Sequence, residues 1–105
     1  RITVETSLNV PLQNVEELIS IVDNYIVDIK DMNNDIYQRY TGKGNERVLC
    51  NLRYLIGEGK AGKIIIRTPL IPSYNTEKDV GYSIELLEEM GITRFDRFTY
   101  KTPND

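Results

Sequence analysis

Residues 63–72 read Lys-Ile-Ile-Ile-Arg-Thr-Pro-Leu-Ile-Pro, and their reading decides the fold. Ile64, Ile65 and Ile66 are a β-branched apolar run, the clearest strand of the chain. Arg67 stands at its end, where Pro69 and Pro72 are expected to forbid regular pairing and to force an extended, irregular loop. The segments on both sides alternate between helical and strand patterns, which makes this strand one member of a repeating unit.

Upstream, Val48, Leu49, Leu52, Leu55 and Ile56 form the stripe of a helix that Asn45 is expected to cap and Gly57 and Gly59 to end. A shorter helix is expected over Asp35 to Tyr40, stopped by Gly42 and Gly44. Before it, Tyr25-Ile26-Val27-Asp28-Ile29 is rich in β-branched and aromatic residues and reads as a buried strand. Val15, Leu18, Ile19 and Val22 fall at i, i+3, i+4 and i+7, one face of a helix expected to start at Asn14. Ile2 to Val4 is a first short strand. Downstream, Thr76 and Asp79 have the spacing of a capping box, Val80, Ile84, Leu87 and Met90 form the stripe behind it, and Gly91 ends the helix. A last strand is expected over about Arg94 to Tyr100.

Strands alternating with helices at these spacings imply parallel βαβ units with right-handed crossovers. The expected architecture is α/β, a parallel (β/α) half-barrel. With 105 residues and no internal linker or low-complexity segment, residues 1–105 are expected to form a single domain or one half of a larger barrel.

Composition narrows the function classes. The chain is 40% hydrophobic and 28% charged, ordinary for a globular protein. Its formal net charge of −3 argues against a nucleic-acid surface, which needs clustered cations to neutralise phosphates. Its apolar runs are far shorter than the ~20 residues of a membrane span, so no membrane partner is expected. One cysteine, Cys50, cannot make an internal disulfide, which points to a reducing, cytoplasmic setting. No histidine is present, so neither imidazole catalysis nor imidazole metal ligation is available. The first residue is Arg1 rather than Met, and the chain is read as a fragment.

In parallel α/β folds ligands bind at the carboxyl ends of the strands. That rule selects Glu5 to Ser7, Asp28 to Asp31, Arg67 to Pro72 and Tyr100-Lys101. Glu5, Asp28, Lys30 and Arg67 would share one mouth, and two acids with two bases suit a zwitterion such as an amino-acid group. Equally, these four charges can pair with one another to finish the sheet ends. Cys50, between Leu49 and Leu52, is read as a small buried hydrophobe. Gly42-Lys43-Gly44 lacks the spacing of a phosphate loop. Tyr37, Tyr40 and Tyr54 are read as packing or rim residues, and Glu16-Glu17 and Glu88-Glu89 as solvated helix faces.

Several strings in order resemble the glycyl-radical enzyme activating enzymes of the radical S-adenosylmethionine superfamily. They are Glu5-Thr6-Ser7-Leu8-Asn9-Val10-Pro11, Val27-Asp28-Ile29-Lys30-Asp31-Met32, Tyr40-Thr41-Gly42 with Asn45, Asn51-Leu52, and Ile66-Arg67-Thr68-Pro69-Leu70-Ile71-Pro72. The resemblance covers nearly the whole chain but only the C-terminal part of that family's partial TIM-type (β/α)6 barrel. It implies S-adenosylmethionine as cofactor, cleaved reductively to start a glycyl radical on a partner enzyme, such as a pyruvate formate-lyase-like protein. It also implies a 4Fe–4S cluster held in the full-length protein by a CxxxCxxC loop, whose thiolates this chain lacks. Carried over residue by residue, Glu5, Asp28, Lys30 and Arg67 match cofactor-binding positions, with no catalytic acid or base and no metal ligand among them. Leu8 stands where several members have a glycine that lets the chain turn tightly, and Lys101 where a histidine stands. Alone, the chain is expected to be inactive. The alternative is a non-enzymatic half-barrel that pairs with another chain or forms a homo-oligomer through its exposed strand edges.

Overall fold

The computed structural model describes residues 1–100, and Lys101 lies outside the described residues. The elements run β1 (Thr3–Thr6), α1 (Leu12–Leu18), β2 (Asn24–Asp28), α2 (Asn34–Thr41), α3 (Glu46–Gly57), β3 (Ile64–Leu70), α4 (Glu77–Glu89) and β4 (Phe95–Thr99). A short 3-10 turn, Ala61–Lys63, leads into β3. The four strands pair in chain order and all are parallel. This is the expected half-barrel.

Pleating divides each strand between two faces. Tyr25 and Val27 of β2 and Ile64 and Ile66 of β3 are buried, and they pack with Val15, Val48, Leu52, Leu55 and Leu87 of the helices and with Ile92. Between them lie Glu5, Ile26, Asp28, Ile65 and Arg67, which are half-buried or exposed on the opposite face. Parallel sheets are ordinarily covered on both faces. Among the described residues no helix covers this second face, which is the inner side of the barrel arc.

Local capping is only partly as expected. Thr76 and Asp79 make the full reciprocal box that starts α4. Gly42 closes α2 in the left-handed conformation, φ 80°, and its N–H bonds the Gln38 carbonyl. Asn45 precedes α3 but its side chain caps nothing there; it donates instead to the Met32 carbonyl at 3.0 Å. The first helix begins at Leu12, behind Pro11, and not at Asn14. Pro pre-sets the backbone for a helix start, and Asn14 N bonds the Pro11 carbonyl as the first turn closes. That helix ends at Leu18, whose side chain is exposed, so only Val15 and Val22 of the expected stripe are buried.

The main correction concerns β3, which does not stop before the prolines. It continues through Pro69 to Leu70, with Pro69 in register with Phe98. In a parallel ladder a residue's N–H and C=O face the same neighbour. Ile29 N donates to the Arg67 carbonyl, so Arg67 and Pro69 face β2, while Leu70 faces β4 and accepts from Tyr100 N. The N–H that Pro69 lacks would have faced the backbone just past the end of β2 at Asp28, so its absence costs the β2–β3 ladder only its terminal bond.

Candidate functional site

The register sets the site. Asp28, the last residue of β2, lies opposite Arg67 of β3, which lies opposite Asp96 of β4; Glu5 of β1 lies one pleat earlier, opposite Ile26. Glu5, Asp28 and Arg67 therefore share one face of the sheet, and Lys30, just beyond β2, joins them through Asp28, but their charges pair differently from the simple zwitterion mouth.

Lys30 Nζ is 3.1 Å from Asp28 Oδ2. It also donates to the Tyr100 hydroxyl and sits 4.8 Å from the centre of that ring. Burial by itself pulls the Lys30 ammonium down, but the Tyr100 hydroxyl and the Asp28 carboxylate outweigh it, and its pKa lies above the ordinary lysine value. Arg67 Nε is 3.4 Å from Asp96 Oδ2, without hydrogen-bond alignment, and the guanidinium lies 4.5 Å from the Phe98 ring centre. Glu5 makes no ion pair among the described residues; it is exposed and lines an open depression with Ile26, Ile65, Arg67, Phe95 and Asp96. Among the described residues five buried polar side-chain atoms make no hydrogen bond, those of Tyr25, Asn51 and Thr68 and, at this mouth, Asp28 Oδ1 and Arg67 Nε. The last two belong to register partners on neighbouring strands, and a buried polar atom left unpaired is costly.

Two buried asparagines hold the loops around this mouth. Asn51 of α3 donates to the Leu8 and Val10 carbonyls at 2.7 and 2.8 Å, fixing the turn after β1. In that turn Leu8 has φ 59° and is 1% exposed, so the tight turn is present without a glycine. Asn75, between β3 and α4, donates to the Pro69 carbonyl at 3.2 Å. An aromatic rim flanks Lys30: Tyr40 meets Tyr74 edge-on at 4.9 Å and Tyr100 at 6.1 Å, and Phe98 lies 5.1 Å from Tyr100.

Sequence reasoning missed Asp96, Phe98, Asn51 and Asn75. The first two had a signal, because a period of two along the last strand places Asp96, Phe98 and Tyr100 on one face. The asparagines had none, since a single Asn in a loop or helix does not announce which carbonyl it will reach. Tyr37 is buried and its hydroxyl accepts from Asn9 Nδ2 at 3.1 Å, a packing role as expected. Cys50 is exposed on α3, not buried as its apolar neighbours suggested, because the helix turns Val48, Asn51, Leu52 and Leu55 inward and Cys50 outward.

Among the described residues no three His, Cys, Asp or Glu side chains are grouped to hold a metal ion, so they do not fit an iron–sulfur cluster. No helix among them is long and apolar enough to cross a membrane.

No family model matches the chain. Individual proteins do. It is 30% identical to an indoleacetate decarboxylase activating enzyme from Tractidigestivibacter scatoligenes, over 98% of this chain and 38% of the relative. It is 40% identical to an isethionate sulfite-lyase activating enzyme from Desulfovibrio desulfuricans, over 95% of this chain and 32% of the relative. With pyruvate formate-lyase 1-activating enzyme of Escherichia coli the identity is 31%, over 73% of this chain and 31% of that one. The chain thus spans about a third of the length of the curated relatives it matches. Among solved structures, coproporphyrinogen III oxidase from Escherichia coli, a radical SAM enzyme, superposes with a TM-score of 0.75 over 99% of this chain and 25% of that chain at 16% identity. A domain of a pyruvate-formate lyase-activating enzyme from Bacteroides vulgatus superposes with a TM-score of 0.55 over 90% of this chain and 79% of that chain, at 18% identity. At such identities these two likenesses speak for the fold.

Proposed function

The chain belongs to the glycyl-radical enzyme activating enzymes, and from that premise we propose that it is the C-terminal, cofactor-holding part of a barrel that binds S-adenosylmethionine. Glu5, Asp28, Lys30 and Arg67 are its binding residues in this reading. The observation that carries it is that Asp28 Oδ1 and Arg67 Nε, on register partners at the mouth, make no hydrogen bond among the described residues. An acceptor and a donor on paired residues suit a group with an ammonium and a carboxylate.

The residues do no acid–base work in this scheme. Lys30 and Arg67 draw the ligand's carboxylate, Asp28 and Glu5 its ammonium, and the Tyr100 and Phe98 rings limit water at the cations. S-adenosylmethionine, when bound beside a reduced cluster, supplies a carbon radical; the protein's share is orientation and electrostatics. The residues described here do not fit the cluster, and no step of this scheme runs through it. A glycyl-radical enzyme is the partner this reading requires, and the cytoplasm is its proposed location, a setting in which thiolates stay reduced.

Titration calorimetry of the full-length chain with S-adenosylmethionine tests the proposal, with Lys30→Ala alongside. Binding that the substitution weakens by about tenfold or more supports it, because a charge-assisted contact is worth about 1.5–3 kcal/mol. Binding indifferent to Lys30, or none at all, overturns it. A second reading, an interaction module closed by another copy, rests on the open inner face and the outer edges of β1 and β4. A monomer at high concentration in size-exclusion chromatography would dispose of it.

A further inference from the structure

Beneath the mouth lies a buried polar cluster that the binding scheme does not use. Asn75 Nδ2 donates to the Asp31 carboxylate at 3.0 Å, to the Pro69 carbonyl at 3.2 Å and, more weakly, to the Lys30 carbonyl at 3.4 Å. Its Oδ1 accepts from Ile71 N at 2.7 Å. Asp31 accepts in turn from Asn33 N at 2.8 Å and from the Ser83 hydroxyl at 3.3 Å, and that hydroxyl accepts from Met32 N at 3.0 Å. Asp31, Asn75 and Ser83 are all buried, and Asp31 has no ion-pair partner among the described residues.

Burying a carboxylate, an amide and a hydroxyl together carries a desolvation cost that an apolar cluster of similar volume avoids. What the cluster provides is geometry. It takes hold of the chain at Lys30, Asp31 and Met32 just after β2, at Pro69 and Ile71 around the end of β3, and at Ser83 of α4. Lys30 is one of the residues held, and Pro69 lies two residues beyond Arg67. A fully satisfied buried network of this kind has one arrangement, so it transmits position without slack.

We infer that Asn75, acting through Asp31 and Ser83, is a positioning residue that sets the spacing between Lys30, just past β2, and the β3 strand that carries Arg67, so that both cations meet one ligand. The ligand's identity rests on the S-adenosylmethionine reading; the spacing does not.

The test uses the full-length chain in four forms: unaltered, Asn75→Ala, Ser83→Ala, and Leu55→Ala as a control. Leu55 is fully buried on α3, and its loss destabilises the fold without touching the cluster. Two readings are taken for each, the titration of the Lys30 ammonium by nitrogen-detected NMR and the affinity for S-adenosylmethionine. The expected result is that Asn75→Ala moves the Lys30 titration towards that of an ordinary lysine and weakens affinity by about tenfold or more, while Leu55→Ala moves neither. Ser83→Ala shows the same change to a lesser degree and stands in if Asn75→Ala does not fold. Stability loss alone, with the Lys30 titration and the affinity unmoved in a folded Asn75→Ala or Ser83→Ala, overturns the inference. If the unaltered chain does not bind S-adenosylmethionine, the cofactor reading fails, and the Lys30 titration by itself decides the positioning role.

Discussion

Asp28 and Arg67 are register partners on adjacent strands, yet each is neutralised by a different residue: Asp28 by Lys30 at 3.1 Å and Arg67 by Asp96 at 3.4 Å. The two ion pairs therefore run along and outward from the β2–β3 seam instead of across it. Asp28 Oδ1 and Arg67 Nε each make no hydrogen bond among the described residues. Had Asp28 and Arg67 closed on each other, the sheet end would be finished and the mouth would have little to offer a ligand.

Asp96→Asn tests how far Arg67 is committed. The pair is largely exposed and poorly aligned, so its loss changes stability by no more than about 0.5 kcal/mol in chemical denaturation. Under the binding proposal the released guanidinium holds a ligand carboxylate at least as well as before. A destabilisation of several kcal/mol would show that Asp96 is structural.

Lys30 gives the stability a pH signature. Its pKa in the fold is raised above the ordinary 10.5, so the stabilisation it contributes is full below that value and lost as pH rises through the higher one. Unfolding midpoints of the unaltered chain and of Lys30→Met, followed into the alkaline range, converge only above the ordinary lysine pKa. Convergence well below it would mean that burial, not Asp28 and Tyr100, governs the ammonium.

Leu8 separates backbone strain from burial. A non-glycine residue at φ 59° costs about 1–2 kcal/mol, while deleting a fully buried leucine side chain costs about 2–5 kcal/mol. Leu8→Gly is thus expected to destabilise the fold in denaturant melts, but by about 1 kcal/mol less than Leu8→Ala, which loses the packing and keeps the strain. Equal losses would place the left-handed turn outside the folded state in solution.

Asn51→Leu leaves the Leu8 and Val10 carbonyls without their donor in a buried site, and is expected to cost about 2–4 kcal/mol. Asn51→Asp should cost more, because its carboxylate would face two carbonyl oxygens. Thermal unfolding of the two variants gives the order directly, and the reverse order would remove Asn51 from the turn.

The element order, the parallel half-barrel, the capping box of Thr76 and Asp79 and the place of Asp28 at the end of its strand were legible in the residues, whereas Arg67 stands mid-strand in β3 and not at its end. Each legible feature depends on interactions within a few positions: helical and strand periods, a cap three residues away, β-branched runs bounded by turns. The long-range partners were not legible. Arg67 meets Asp96 from 29 positions away, Asn75 reaches Asp31 across 44 and Asn51 reaches Leu8 across 43, and no local pattern selects one such partner over another. The prolines show the same division. Pro69 read alone excludes a strand, because it lacks a donor; only the assembled sheet shows that β2 has already ended where that donor would point. Chain-local energetics determined what this protein is built from and where its charges stand along the strands. Which charges neutralise each other, and which polar atoms are left without a hydrogen bond, was decided only when four strands set their register.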